Sequence, residues 1–267
     1  MINRNDLTAS QLSSLMQLQI TCHEHDGITL CFPIEETASH YLFHMEDEKL
    51  VSAFSLYFSD EETCECIAMT LPDFRQQGYF SVLLEEVCEW LEEQEAEADI
   101  DLCFLTDHHC TATDIVLEHL EAELWFDEYM MEILLSPAQS ASAKPATDNS
   151  GTNIASHKLS ILPDPETADH YTIVHNHAHI GTFYLHISKS RGYFYGFEIQ
   201  ESLRGQGYGT AAMKTVMSWI SSQPELFTDQ ERDFALSLQV SSENVAAFHL
   251  YKKTGFHVTE TLSYYLY

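Results

Sequence analysis

The sequence predicts an α+β protein built as two tandem domains, each a mixed αβ sheet with flanking helices. Three observations carry that prediction. The same order of strand-like and helix-like runs occurs twice, and each half has an arginine-glycine turn between a strand and an amphipathic helix. A stretch poor in large apolar residues, Ser136 to Ser156, separates the halves. The domains are accordingly placed at residues 1–135 and 159–267, with 136–158 as a flexible linker.

In the first half, Asp6 to Ile20 has helical character, and HYLFHM, KLVSAFSLYF and CECIAMTL read as strands. A helix from Gln77 to about Glu95 follows. Phe80, Leu83, Leu84, Val87, Cys88 and Leu91 fall on one of its faces, and Glu85, Glu86, Glu89, Glu92 and Glu93 on the other. IDLCFL is a strand, residues 112–122 a helix, and EYMMEILL the last strand.

The second half repeats the order. HYTIVHNHAHI, GTFYLHIS and GYFYGFEIQ are strands, followed by a helix from Gly207 to Ser221, strand FALSLQVS, a helix from Asn244 to Thr254, and FHVTETLSYYLY. Laying TLPDFRQQGYF on IQESLRGQGYG pairs Arg75 with Arg204 and Gly78 with Gly207, 129 positions apart. Pairing Trp125-Phe126 with Gly255-Phe256 gives 130. Two landmarks that agree within one residue point to an internal duplication.

A chain of 267 residues, 45% hydrophobic, can fill two cores. No apolar run approaches bilayer length, and the opening MINRNDLTASQL lacks the basic and apolar regions of a signal peptide, so the expected address is cytoplasmic. All seven cysteines lie in the first half, odd in number and irregular in spacing, as reduced thiols do. The net charge of −30 is concentrated there too: residues 1–135 hold 3 Lys+Arg against 30 Asp+Glu. Such a surface disfavours nucleic acid and anionic membranes as partners and attracts cations, while also serving solubility.

The segment Arg204-Gly205-Gln206-Gly207-Tyr208-Gly209 sits between a strand and a helix whose apolar face is Ala212, Met213, Val216, Met217, Trp219 and Ile220. Glycines there let the backbone approach a ligand, free N–H groups at the helix start favour phosphate, and Arg204 adds a positive charge. Gly207-x-Gly209-x-x-Ala212 also fits a permissive dinucleotide string. That alternative expects an acid at the tip of the next strand, whereas QPELFTDQERDFALSL puts its acids before that strand.

At Arg204, Gly207 and Gly209 the chain resembles the GNAT superfamily of N-acetyltransferases, whose loop cradles the pyrophosphate of acetyl-CoA. The resemblance implies cofactor contacts at Arg204, Gly205, Gln206, Gly207, Tyr208, Gly209 and Thr210. A second landmark of the superfamily follows as Asn244, Ala247, Leu250, Tyr251, Gly255 and Phe256. Asn244 and Tyr251 are two helical turns apart and share a face; Ser241 or Ser242 is the expected cap of that helix. By the same resemblance Tyr251 is the general acid for the departing thiolate, Asn244 helps position the cofactor, and backbone N–H near Ile199 polarises the carbonyl.

The amine must also lose a proton. Ribosomal-protein acetyltransferases of the superfamily carry Glu where this chain has Gln239, which weakens a protein substrate. Glu198 is the candidate base, with Glu201 behind it; an exposed carboxylate serving solubility is equally consistent at each.

In the first copy the turn reads Arg75-Gln76-Gln77-Gly78-Tyr79-Phe80. Phe80 replaces the last small residue, and the gapless overlay sets Glu121 opposite Tyr251 and Asp114 opposite Asn244. A noncatalytic domain is expected, as in double-domain members of the superfamily whose second domain is the active one. The acidic half offers a steering field for a cationic amine such as a polyamine or aminoglycoside.

Asp107-His108-His109-Cys110 spells a palmitoyltransferase motif without that family's zinc cysteines or membrane spans. His175, His177 and His179 alternate as on one strand face, and no metal site is assigned to them. The reading is thus transfer of an acetyl group from acetyl-CoA to a primary amine of a small molecule. Protein or peptide acetylation and noncatalytic acyl-CoA binding are the alternatives, and a homodimer through exposed strand edges stays open.

Overall fold

The computed structural model describes residues 3–4, 7–34, 40–58, 63–93, 100–137, 159–227 and 233–267. In chain order its elements are β1 (Asn3–Arg4), α1 (Ala9–Asp26), β2 (His40–Glu46), β3 (Lys49–Phe58), β4 (Thr63–Thr70), α2 (Tyr79–Glu93), β5 (Asp101–Thr106), α3 (Thr111–His119), β6 (Glu123–Leu135), β7 (Leu159–Pro163), β8 (His170–His175), β9 (Ala178–Ser188), β10 (Arg191–Ile199), α4 (Tyr208–Ser221), β11 (Phe234–Ser241), α5 (Val245–Thr254) and β12 (His257–Leu266). Short 3-10 turns precede α2 and α4. The chain is mixed α and β, as expected, and among the described residues no helix is long and apolar enough to cross a membrane.

Two compact units result: residues 1–127 with 261–267, and residues 128–260. Both ends differ from the predicted boundaries. Residues 128–135 pair with β11 inside the second unit, and Ser263 to Leu266 pair with β5 inside the first. Beyond Pro137 the predicted linker lies outside the described residues.

In the first unit β1 to β4 run antiparallel in sequence order, β4 pairs with β5 in parallel, and the end of β12 closes antiparallel on β5. Helix α1 starts where Thr8 and Gln11 form a capping box and stops at Gly27, whose φ of 76° only glycine adopts cheaply. It is longer than predicted. Its Leu15, Leu18 and Cys22 pack with Tyr41, Val51, Ala53 and Met69 on one face of the sheet. On the other face Leu83, Leu84 and Val87 of α2 and Leu117 of α3 cover Phe54, Cys64, Cys66 and Phe104. The four buried cysteines of α1, β4 and β5 therefore act as small apolar residues, and all seven thiols are free.

The second unit has the same order around β7 to β10, with β10 parallel to β11 and β11 antiparallel to Glu128–Leu135 of β6. Phe183, Leu185, Phe194, Leu236 and Leu238 pack under Met213, Val216 and Ile220 of α4 and Tyr251 of α5. The connection from β7 to β8 has no counterpart of α1, and on the opposite face Tyr193 and Tyr195 are exposed, with no described element packed over them.

The duplication is legible atom by atom. Asp47 and Glu48 turn the β2–β3 hairpin with positive φ, and Asn176 and His177 turn the β8–β9 hairpin the same way. HYTIVHNHAHI is consequently two strands and a turn. His177 sits in that turn and does not alternate with His175 and His179, and among the described residues no cluster suited to a metal exists.

Later in the chain the predicted overlay shifts. Glu121, at φ 55°, ends α3 as Gly255 ends α5, and Ala122 N donates to Leu117 O as Phe256 N donates to Tyr251 O, both at 3.1 Å. The counterpart of Tyr251 is therefore Leu117, not Glu121. Cys110, not Asp114, stands at the cap position of Asn244.

Candidate active site

The parallel pair of each unit holds for only a few residues. In the second unit it runs from Arg191–Tyr193 against Ala235–Ser237, although β10 continues to Ile199 and β11 to Ser241. A register irregularity between Tyr195 and Glu198, with Gly196 at φ 59°, bends β10 away and takes part of its backbone out of the β9 ladder. Beyond Tyr193 and Ser237 the two strands are no longer paired.

At the far end of β10 the chain forms the predicted loop. Gly205 and Gly207 adopt φ of 72° and 87°, and the Arg204 Nε donates to Ile199 O at 2.9 Å while Gln206 Nε2 donates to Ser202 O at 2.8 Å. Helix α4 then starts at Tyr208. Among the described residues no side chain caps it, unlike α1 and α5, and an uncapped helix start behind a glycine loop is an arrangement suited to phosphate. Gly209 has a packing reason as well: a Cβ there would lie 2.7 Å from Leu250 Cδ1, so glycine lets α4 and α5 approach. Ile199 is buried at the end of β10, and Thr210 lies in the first turn of α4.

Tyr251 is 7% exposed, on α5 against Phe256, and burial alone pushes its hydroxyl up to about 12. It therefore holds its proton at neutral pH. Asn244 is itself the α5 cap, its Oδ1 accepting from Ala247 N at 3.2 Å; Ser241 instead accepts from Glu243 N. Glu198 lies beside the loop, its carboxylate 3.2 Å from Arg204 Nη2 and mostly exposed, so the structure brings it to the phosphate end rather than to the unpaired stretch of the two strands. Sequence reasoning overlooked Glu128, whose carboxylate accepts from Gln239 Nε2 across β6 and β11. Its only sequence signal was an acid in a strand assigned to the other domain.

The first unit keeps the loop and changes its chemistry. Gln76 and Gly78 have φ of 60° and 86°, Arg75 Nε donates to Thr70 O at 3.0 Å, and Gln77 Nε2 donates to Asp73 O, each matching the second unit. Arg75, however, also donates to Asp26 of α1 at 2.9 and 2.5 Å. Phe80, at the position of the last small residue of the loop, turns its ring inward toward Phe54 and Phe104. A cavity of about 250 Å³ lies between β4 and β5, lined by Met69, Phe74, Phe80, Phe104, Leu117 and the Asp26–Arg75 pair.

Comparison with known proteins places this arrangement. The profile of the Acetyltransferase (GNAT) family matches residues 11–111 and again 130–256, and the chain belongs to that family as a tandem-domain member. Its fold is similar to that of a GCN5-related N-acetyltransferase from Sphaerobacter thermophilus, at 14% identity and a TM-score of 0.67, covering 100% of this chain and 95% of that one. It is also similar to a tandem GNAT protein from the clavulanic acid biosynthesis pathway (12%, TM-score 0.60, 100% and 97% covered). A GNAT-family acetyltransferase from Colwellia psychrerythraea has the same fold (11%, TM-score 0.53, 100% and 99% covered). A search of curated proteins gave no match.

Proposed function

We propose that the second unit transfers an acetyl group from acetyl-CoA to a primary amine of a small molecule, and that the first unit is noncatalytic. The observation that carries this reading is the pairing of an uncapped helix start and glycine loop with a buried, protonated Tyr251 on the neighbouring helix. Acetyl-CoA supplies the thioester. Arg204 and the N–H groups of residues 207–210 hold its diphosphate, Asn244 lies beside the acyl arm, and backbone N–H in the bent stretch ahead of Ile199 polarises the carbonyl. Tyr251 donates its proton to the departing sulfur, whose thiol has a pKa of ~8.5, well below the tyrosine's when both are free. The proton is therefore passed while the C–S bond is breaking, when the sulfur is most basic, and Tyr251 regains a proton from water.

In the first unit Leu117 stands in place of the tyrosine, and Arg75 is neutralised by Asp26, which supports a noncatalytic role. Titration of acetyl-CoA into the protein, followed by thiol release with primary amines, tests the reading. One binding site and amine-dependent thiol release are expected; absence of acetyl-CoA binding would sink it.

A further inference from the structure

An alkylammonium, with a pKa near ~10, must lose a proton before its nitrogen can attack a thioester. Glu198 is held at Arg204, and Gln239 has no proton to exchange. The exposed face of the second-unit sheet supplies the missing group. Side chains at alternate positions of three neighbouring strands meet there: Tyr193 and Tyr195 on β10, Gln239 on β11 and Glu128 on β6. Gln239 Nε2 donates to the Glu128 carboxylate, and the Tyr193 hydroxyl donates to Gln239 Oε1 at 3.4 Å. Gln239 lies two residues past Ser237, the last β11 residue paired with β10, so these bonds hold the carboxylate beside the stretch where the two strands are no longer paired.

The same face carries a row of aromatic rings. Tyr184 stacks on Tyr195 at 5.0 Å and Tyr195 on Tyr193 at 5.7 Å, with Tyr193 and Tyr195 36% and 44% exposed. Further along lie His170 with Asp164, His186 with Asp169, and Arg191, 3.9 Å from Glu132. Ring faces and a carboxylate both favour a cation, and in the first unit the corresponding face is covered by α1.

We propose that this face is the acceptor site, that Glu128 is the general base, and that the acceptor is a primary amine bound as a cation along the tyrosine row. The proposal rests on the acyltransferase reading of the second unit. Glu128 takes one proton from the ammonium and passes it to water. The freed nitrogen lone pair forms the C–N bond at the thioester carbonyl carbon, and the C–S bond breaks. Tyr251 protonates the sulfur and regains a proton from water, while the second nitrogen proton also leaves to water. The products are amide, thiol and one released proton.

Thiol release from acetyl-CoA with spermidine or tyramine, followed from about pH 6.5 to 9.5, tests this in wild type, Glu128→Gln and Tyr195→Ala. Glu128→Gln is expected to lose roughly 100-fold in kcat/KM near neutral pH, to recover as pH approaches the amine pKa, and to bind acetyl-CoA like wild type. Tyr195→Ala raises KM with little change in kcat. A wild-type profile in Glu128→Gln overturns the proposal, as does failure of wild type to acetylate either amine while it binds acetyl-CoA. Failure to bind acetyl-CoA overturns the acyltransferase reading instead.

Discussion

The Asp26 carboxylate accepts two hydrogen bonds from the Arg75 guanidinium, and this pair separates the two phosphate loops of the chain. Arg204, at the matching position, is half exposed and its guanidinium is paired instead with the surface carboxylate of Glu198. Asp26 comes from α1, a helix without a counterpart among the described residues of the second unit. Its side chain is 8% exposed, so Asp26→Ala leaves a guanidinium partly buried without its partner and is expected to cost about 2–3 kcal/mol. Urea unfolding of the whole chain, followed by a probe of the first unit, reads this directly; a change below about 0.5 kcal/mol would show the pair to be idle.

Acid should find the first unit's weak point. Hydrogen bonds from Arg75, opposed by burial and aided by His25, hold the Asp26 carboxyl below its ordinary 3.8. Burial raises Asp107, but N–H bonds from Thr29 and His109 outweigh it and hold this carboxyl low as well. Both folded pKa values lie below the unfolded one, so the stabilisation is present above about pH 4 and is lost as pH falls through the folded values. Thermal melts between about pH 5 and 2.5 should fall steeply in wild type and less steeply in Asp26→Ala. Parallel slopes would remove Asp26 from this account.

Tyr251→Phe is expected to lower kcat about 100-fold or more while leaving acetyl-CoA affinity within about twofold, because the hydroxyl acts after the cofactor is bound. With the tyrosine pushed up to about 12, its ionisation adds no falling limb to the kcat profile below about pH 10. A wild-type rate in the phenylalanine variant would make Tyr251 a packing residue.

Much of this was legible in the residues. The Arg75 and Arg204 loops, and the helices after them, follow from glycine, charge and apolar spacing within a dozen positions, and local physics decides them. The expected starts of α2, α4 and α5 lie one or two residues early because Gly78 and Gly207 serve the turns and Asn244 serves as the cap. The strand memberships of Glu128 and Ser263 were not legible, since pairing across more than 100 positions leaves no periodic trace. The misplaced Trp125-Phe126 landmark has the same origin. Ala122 carries no aromatic cue, and only the helix-end hydrogen bond identifies it with Phe256.

Acetyl-CoA should bind once per chain. Gly207 and Gly78 have φ of 87° and 86°, so tryptophan at either imposes a similar backbone strain. The two variants are therefore matched controls for folding, and a difference in binding isolates the site. Gly207→Trp is expected to abolish the calorimetric signal and Gly78→Trp to preserve it. Two sites in wild type, or loss of binding only in Gly78→Trp, would assign the cofactor to the first unit.

His108 makes contacts that resemble a hydrolytic triad, with Nδ1 2.9 Å from Asp114 and Nε2 2.9 Å from Ser263 Oγ. The proton of Ser263 decides against nucleophilic use: its hydroxyl donates to Asp127 Oδ1 at 2.6 Å and so accepts from His108 rather than donating to it. Ser263 is also 2% exposed, between β5 and the end of β12, where no substrate carbonyl reaches it. The network instead fastens the last strand to the turn before α3. A fluorophosphonate probe should leave Ser263 unlabelled, and Ser263→Ala should destabilise the first unit by about 1–2 kcal/mol, since it strips a partner from both His108 and Asp127. Covalent labelling at Ser263 would reverse the argument, because it requires the hydroxyl proton to point at His108 and the strand to open.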